Sequence, residues 1–270
     1  MRSVLACLVI LVWTSSAQAL VLDGPVMQGA LRVGTVEPGA SVSVDSKPVR
    51  VNGETGRFVF GIGRDRTQPV AIVVTKPGGL AETRRFAVVT REYDIERIDG
   101  LPRRKVSPNA ADLERIRREG RLISAARARD SDFPHALVNF VWPVTGRVSG
   151  RYGNQRILNG EPRRPHLGVD IAAPQGTTVA ASGAGVVSLA EDDLFFTGGT
   201  VAIDHGHGVT SIYSHLARID VAVGQVVAPG EAIGTVGSTG RSTGPHLDWR
   251  INWFDLRLDP ELIAGPMPGG

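Results

Sequence analysis

Histidines and aspartates that could bind a metal or move a proton are concentrated in two short, glycine-containing stretches of the chain. The first stretch carries His166 and Asp170, and the second, further along, carries His246 and Asp248. His215 lies between the two stretches. Because imidazole nitrogens and carboxylate oxygens are ordinary ligands of catalytic zinc, these five residues predict a single metal site.

The spacing within each pair limits how the backbone could bring both residues to one ion. Residues four apart in a flat strand are separated by roughly 13 Å, so His166 and Asp170 can share an ion only if the chain bends at Leu167 or Gly168. His246 and Asp248 are two apart, which places them on the same face of a strand, roughly 7 Å apart along it. One of the two could bind the ion while the other acts as a catalytic residue next to it.

The N-terminus has the features of a secretory signal. Arg2 supplies a positive charge, residues 4–13 form a short apolar run, and residues 17–19 match a small-x-small cleavage pattern. The run is too short to span a bilayer comfortably, and no later stretch is long and apolar enough for a membrane helix. We therefore expect a periplasmic or secreted protein, cleaved after residue 19 and without stable membrane insertion. Its one cysteine, Cys7, would be removed, so the mature chain would contain no disulfide.

Residues 20–96 have the pattern of short β-strands separated by turns. Four runs are rich in β-branched and aromatic residues or alternate in polarity: residues 40–44, 56–61, 69–74 and 86–90. Their spacing predicts a small immunoglobulin-like β-sandwich. This segment contains no histidine and no clustered site, so we expect a structural, regulatory or wall-binding role for it.

Residues 97–137 form a basic linker that contains a predicted helix. Ser107 is a candidate N-cap and Pro108 a candidate first helical residue. The apolar face would consist of Leu113, Ile116, Ile123 and Ala126, with arginines opposite. We favour an amphipathic helix that packs on one of the domains and exposes its arginines to solvent. The alternative is contact with an anionic surface such as cell wall or membrane.

Residues 138–264 change to short strands with glycines between them. Strands are predicted within residues 141–150, 178–183, 185–189, 200–204, 209–213 and 232–236. The pattern indicates an antiparallel β domain with a helix only near residues 259–263. Residues 265–270 are predicted to be a frayed tail.

Three motifs of this second domain, taken together, resemble peptidase family M23, the lysostaphin-like or LytM-type zinc metallopeptidases. They are His166-Leu-Gly-Val-Asp170, Tyr213-Ser-His-Leu216 and Ser242-Thr-Gly-Pro-His-Leu-Asp248. The order and spacing match the family over about residues 138–260. The resemblance implies a C-terminal antiparallel β peptidase domain of the LytM type.

The resemblance also implies roles for individual residues. His166 and Asp170 match zinc ligands, His215 and His246 match catalytic histidines, and Asp248 stands where the family has a histidine as third ligand. One Zn²⁺ per chain would serve the hydrolysis of peptide cross-links in peptidoglycan. The peptide stems would be the substrate, and cell-wall amidases are a further candidate partner. We expect no nucleic-acid partner.

Aspartate at position 248 departs from the family pattern. A carboxylate is a competent zinc ligand, so three protein ligands and an open position remain available. A second carboxylate makes the ion less electrophilic, so we expect a higher pKa for bound water and a shift of metal preference toward harder ions such as manganese.

Two other functions are compatible with parts of this sequence pattern. Some domains of the M23 type lack zinc ligands and activate cell-wall amidases by binding them; Asp248 permits this, but the other four residues of the site argue against it. A biotinyl or lipoyl carrier is excluded because the second domain contains no lysine. His135, His205 and His207 are interpreted as structural.

Overall fold

Strands make up most of the regular structure, which confirms the predicted mainly β class. The structure is a computed structural model that describes residues 20–101, 103–137 and 140–269. The predicted signal segment, residues 1–19, lies outside the described residues. Among the helices that are described, none combines the length and apolar character needed to cross a membrane.

The N-terminal segment folds into two antiparallel sheets. One sheet has the order β1-β2-β5 and the other the order β4-β3-β6-β7. The strands are β1 (Val21–Leu22), β2 (Leu31–Thr35), β3 (Ser41–Val44), β4 (Lys47–Val49), β5 (Arg57–Gly61), β6 (Val70–Thr75) and β7 (Ala81–Phe86). Val42, Val44 and Ile72 of one sheet belong to the same buried cluster as Phe58 and Phe60 of the other, as expected where two sheets pack face to face.

The predicted strand at residues 86–90 was placed wrongly. The strand that follows β6 is the more polar β7. Within residues 87–90, only Val89 pairs with another segment, through an isolated bridge to Met27. The turn at Lys76 to Gly79 returns the chain directly beside β6, so backbone pairing selects the polar stretch. Polar residues on an edge strand of this kind are a common protection against edge-to-edge association.

The linker begins with a strand that the sequence analysis missed and continues in helices. Strand β8 (Ile95–Ile98) pairs in parallel with a strand of the C-terminal half, and α1 (Arg103–Val106) and α2 (Ala110–Arg127) follow. The N-cap of α2 is Asn109 rather than Ser107. The Asn109 side chain accepts a hydrogen bond from the Asp112 amide at 2.9 Å and completes a capping box.

Helix α2 packs on the C-terminal half, as predicted, although its buried face differs in detail. Ala126 is buried and Ile123 partly buried against Leu189, Leu194, Ala202 and Ile212, which lie on three strands of the large sheet. Leu113, assigned to the apolar face from the sequence, is 41% exposed. The arginines at positions 117, 118 and 121 are exposed.

One large sheet with the path β17-β14-β15-β16-β19-β12-β9 organises the C-terminal half, and all its pairings are antiparallel. Its strands and the neighbouring ones are β9 (Arg147–Gly150), β10 (Gln155–Leu158), β11 (Glu161–Pro162), β12 (Val169–Ala172), β13 (Thr178–Ala180), β14 (Gly185–Leu194), β15 (Gly198–Gly206), β16 (Val209–Ile219), β17 (Val226–Val227), β18 (Ala232–Val236), β19 (His246–Trp253) and β20 (Leu256–Leu258). Helix α3 (Pro260–Ala264) follows, close to its predicted position. Residues 141–146, predicted as strand, are irregular.

A continuous core connects the two halves. The largest buried cluster includes Phe58 and Phe60 from the first half and Tyr213 and Trp249 from the second. A mostly buried ion pair between Arg91 Nη1 and Asp259 Oδ2, 2.7 Å apart, reinforces the contact. The predicted domain boundaries at residues 96 and 138 stay predictions.

Candidate metal centre

The chain bends just before β12, as the spacing of His166 and Asp170 requires. His166 precedes the strand, Gly168 forms a bend, and Asp170 is the second residue of the strand. The bend brings His166 Nε2 to 3.2 Å from Asp170 Oδ1. A side chain at Gly168 would collide with the neighbouring strand, since a Cβ there would lie 2.8 Å from the Trp249 carbonyl oxygen.

Two aspartates face each other across adjacent antiparallel strands. Asp170 on β12 is paired in register with Asp248 on β19, and the next pair on the same face is Ala172 with His246. Both carboxylates are buried. Like charges directly opposite one another on a sheet destabilise it. This arrangement therefore needs cations, and the fold supplies two arginines around it.

The first arginine is Arg156 on β10, which forms an ion pair with Asp170 Oδ2. Its Nε donates to Glu96 Oε2 of the linker strand β8 at 3.1 Å. Position 150 must be glycine for this pair to form, because a Cβ there would lie 2.5 Å from Asp170 Oδ2. Arg156 binds Oδ2 of Asp170, which leaves Oδ1 of the same carboxylate facing His166.

The second arginine is Arg250, two residues after Asp248 on the same face of β19. Its Nε and Nη2 donate to Asp248 Oδ1 and Oδ2 at 2.8 and 2.5 Å, a forked geometry. Burial opposes ionisation of Asp248, but Arg250 outweighs it, so the pKa of this carboxyl lies below its usual value. Burial also opposes ionisation of Asp170, where His166 and Arg156 lower the pKa well below the usual range.

The residues fit a metal ion. His166, Asp170 and Asp248 each offer a ligand atom, and these atoms lie within 4.8 Å of one another. Both ring nitrogens of His166 and Oδ1 of Asp170 are buried, and apart from the 3.2 Å contact between Nε2 and Oδ1 they have no polar partner in the described part of the chain. Buried polar atoms are almost always satisfied, so atoms left unpaired in one cluster indicate a missing partner that accepts electron pairs.

A β-bulge aims His215 at this cluster. Between the pairs Tyr213–Val201 and Leu216–Gly199, strand β16 has two residues where β15 has one. His215 is one of these two residues and has a φ of 67°, a conformation that non-glycine residues rarely adopt. The strained position turns the ring out of the regular alternation of the strand.

The two candidate catalytic histidines lie side by side and are held in the same way. Their ring centroids are 4.7 Å apart. His215 Nδ1 donates to the Thr239 carbonyl at 2.7 Å, and His246 Nδ1 donates to the Gly244 carbonyl at 2.7 Å. A carbonyl can only accept, so each Nδ1 carries a proton, and in the neutral ring Nε2 is the nitrogen with the lone pair. His246 Nε2 lies 3.9 Å from Asp170 Oδ1, which orients it toward the cluster.

His215 has the protonation state that a general base requires. Burial lowers the pKa of His215 to about 4, although the carboxylate of Asp248 acts in the opposite direction. The ring is therefore neutral at pH 7 and can accept a proton at Nε2. The arrangement can thus combine a metal ligand set with a neutral base and a second imidazole beside it.

The cluster opens into a cleft of about 560 Å³. His215 and His246 line one side, and the linker lines another through Glu96, Ile98 and Leu101. The linker is thus a wall of the candidate site, a feature that the sequence analysis did not predict.

The five predicted residues come together, and the residues that the sequence analysis missed are those that hold them. Arg250 could have been found, because a cation two residues from Asp248 shares its strand face. Arg156 and Glu96 could not, because Arg156 reaches Asp170 from a strand of another sheet and Glu96 is brought there by the pairing of β8 with β10. The three other histidines lie outside the cluster; His205, for example, is bonded to the Ala184 carbonyl at 2.6 Å and Ser211 Oγ at 2.7 Å.

Two of the curated relatives that the chain resembles have named peptidase activities. A DD-carboxypeptidase/endopeptidase, Mpg, from Neisseria meningitidis serogroup B is 45% identical over 125 residues, which are 46% of this chain and 29% of that protein. The peptidoglycan DD-endopeptidase ShyA from Vibrio cholerae is 42% identical over 106 residues, which are 39% of this chain and 24% of that protein. The chain spans less than a third of the length of either relative.

A solved structure extends the similarity to both halves of the chain. It is a crystal structure from Pseudomonas aeruginosa assigned to peptidase M23, 32% identical, with a TM-score of 0.71. The match covers 90% of this chain and 96% of that one. A family model described as Peptidase family M23 matches residues 164–260, which include all five clustered residues. The chain belongs to peptidase family M23.

Proposed function

We propose that this protein is a periplasmic or secreted zinc-dependent endopeptidase that hydrolyses peptide cross-links of peptidoglycan. One observation carries the proposal: buried ligand atoms of His166 and Asp170, which have no polar partner apart from each other, lie beside Asp248 and next to two imidazoles whose Nδ1 atoms are bonded to backbone carbonyls. The named activities of the Neisseria and Vibrio relatives support the substrate class.

In this proposal His166, Asp170 and Asp248 hold one zinc ion. Zinc, when bound, supplies a Lewis acid that polarises a peptide carbonyl and activates water for attack. His215 accepts the proton of the attacking water at Nε2, because its Nδ1 is committed to the Thr239 carbonyl. His215 then returns that proton to the leaving amine, and His246, fixed in the same orientation, can stabilise the oxyanion when its Nε2 is protonated.

Arg250 changes what the aspartate at position 248 implies. A carboxylate of charge −1 with a forked guanidinium of charge +1 sums to zero, which is the charge of the neutral imidazole found in the family pattern. Asp248 and Arg250 together therefore replace that histidine electrostatically. With Arg250 beside it, Asp248 should neither raise the pKa of bound water nor shift the metal preference toward manganese, in contrast to the expectation for an unpaired carboxylate.

The competing function is a non-catalytic regulator that binds cell-wall amidases. The geometry favours the enzyme, because a regulator has no need for a neutral base held at a strained backbone position beside a set of metal ligands. His215 has both features.

Metal content separates the two functions. After dialysis against zinc, elemental analysis is expected to give one zinc per chain for the natural protein and none for Asp170→Asn, because the substitution removes a charged ligand. The exposed Asp192→Asn is the matched control and should keep its zinc. Absence of zinc from the natural protein, together with no release of fragments from purified sacculi, would leave the regulator as the better account.

A further inference from the structure

An arginine in the candidate cleft has no anionic partner. Arg241 lines the same cleft as His215 and His246, and it is half-buried. In the described part of the chain Arg241 forms no ion pair, whereas Arg156 and Arg250 nearby are both paired with carboxylates. Its polar contact is a long one, from Nη1 to the Lys105 carbonyl at 3.4 Å.

The guanidinium is nevertheless held in place. It lies over the ring of Phe196, 4.5 Å from the centroid, and the Arg241 amide donates to the Phe196 carbonyl at 2.8 Å. Stacking of this kind fixes the plane of the guanidinium and leaves its edge donors available. Most of the donors of Arg241 are therefore both oriented and unused.

The loop that carries Arg241 also carries the groups that hold the catalytic pair. Thr239 and Gly244 provide the carbonyls that accept from His215 and His246, and Arg241 lies between them in sequence. A ligand group bound by Arg241 would thus be positioned by the same short segment that positions both imidazoles.

The charge of the cleft favours an anion. Its lining includes the acidic residues Glu96, Asp99 and Asp170 and four arginines, at positions 97, 147, 156 and 241. Arg156 is already matched by Glu96 and Asp170. Burial, with help from Arg156 and Arg250, lowers the pKa of Arg241 to about 10, so its charge at neutral pH is held at a cost that an anion would offset.

We propose that Arg241 is a specificity-determining residue that binds a free carboxylate of the peptide stem close to the scissile bond. The inference rests on the proposed function, because it assigns a substrate contact to the same cleft. A planar guanidinium with free edge donors is suited to a carboxylate, which it can bind through two parallel hydrogen bonds.

Binding of two matched peptides to an inactive protein tests this role. The probes are an N-acetylated pentapeptide ending in D-alanyl-D-alanine with a free carboxylate and the same peptide as its carboxamide. Calorimetric titration of zinc-loaded His246→Ala is expected to give a dissociation constant on the order of tenfold lower for the carboxylate. Adding Arg241→Gln should abolish the preference, and Arg241→Lys should retain part of it, since a lysine keeps the charge but not the fork.

The control is Arg218→Gln, which removes an exposed arginine outside the cleft lining and should leave the preference unchanged. A structural role for Arg241 would lower the affinity for both peptides equally and leave their ratio at its original value. That result overturns the proposal, and so does a ratio of one between the two dissociation constants in the His246→Ala protein that keeps Arg241. Digestion of sacculi by the natural protein, run in parallel, shows separately whether the proposed function itself holds.

Discussion

At the scale of single residues, the site depends on paired charges. Asp170 and Asp248 face each other in a buried sheet, and each is matched by its own arginine. The ligand candidates could be recognised from their types and spacing, because histidine and aspartate in these motifs are distinctive. Their counterions were harder to recognise, since arginine is common and Arg156 reaches Asp170 only through the tertiary fold.

Removing Arg250 should destabilise the metal-free protein. Arg250→Met leaves Asp248 buried without its partner and opposite Asp170, which we expect to lower the free energy of unfolding by about 3 kcal/mol. The double variant Asp248→Asn with Arg250→Met removes both charges and should recover most of the loss. Urea titration of the metal-free proteins measures both values. Equal stability of the single and double variants would mean that the pair is not electrostatically coupled.

His205 should make the stability depend on pH. Burial lowers the pKa of His205 from 6.5 to about 4, so the unfolded chain binds this proton more readily than the folded one between those values. Stability from this group is complete above pH 6.5 and decreases as the pH falls toward 4, by up to about 1.4 kcal/mol per pH unit. In His205→Gln, urea titrations across this range should show a shallower slope than in His135→Gln. Identical slopes would exclude His205 as the source.

At the scale of elements, strand pairing decides what surrounds the site. Strand β8 pairs with β10 and becomes a wall of the cleft. The sequence predicted segments of the long strands of the C-terminal sheet, because short runs of strand-forming residues lie between glycines, but the strands continue to residues 194, 206 and 219. It did not predict β8, whose four residues include Glu96 and Arg97 and carry little hydrophobic signal. Polar strands such as β7 and β8 form because a neighbouring strand satisfies their backbone groups.

Detaching β8 should open the cleft. Ile98 packs with Leu101, Val106 and Leu158, so Ile98→Asp is expected to release the linker wall. If the wall restricts entry, digestion of sacculi should accelerate by about threefold or more, since a larger fraction of molecules becomes competent to bind. Ile95→Asp is the matched control, because Ile95 is on the same strand and 61% exposed. A slower rate in Ile98→Asp would show instead that the linker completes the site.

At the scale of the whole molecule, the two halves share one core, which the sequence did not predict. The buried cluster is continuous, and Arg91 reaches Asp259 across the junction. The sequence predicted two domains and a tether, because composition and strand spacing report local structure. The packing between the halves depends on long-range contacts that such local patterns do not encode.

The shared core should make unfolding cooperative. Calorimetry of the chain from residue 20 onward is expected to show a single transition, with equal calorimetric and van't Hoff enthalpies. Arg91→Ala leaves Asp259 buried without its cation, which should lower the free energy of unfolding by about 2 kcal/mol. The whole transition should therefore move to lower temperature. The exposed Arg85→Ala should not shift it. Two transitions, with only the second sensitive to Arg91, would contradict a common core.

The central claim is that the cluster of His166, Asp170 and Asp248, with His215 and His246, hydrolyses peptide cross-links. Mass spectrometry of purified sacculi digested with the zinc-loaded protein tests it most directly. We expect cross-linked muropeptides to be converted to uncross-linked ones by the natural protein and by His135→Ala, but not by His246→Ala. An unchanged ratio of cross-linked to uncross-linked muropeptides with the natural protein would contradict the account.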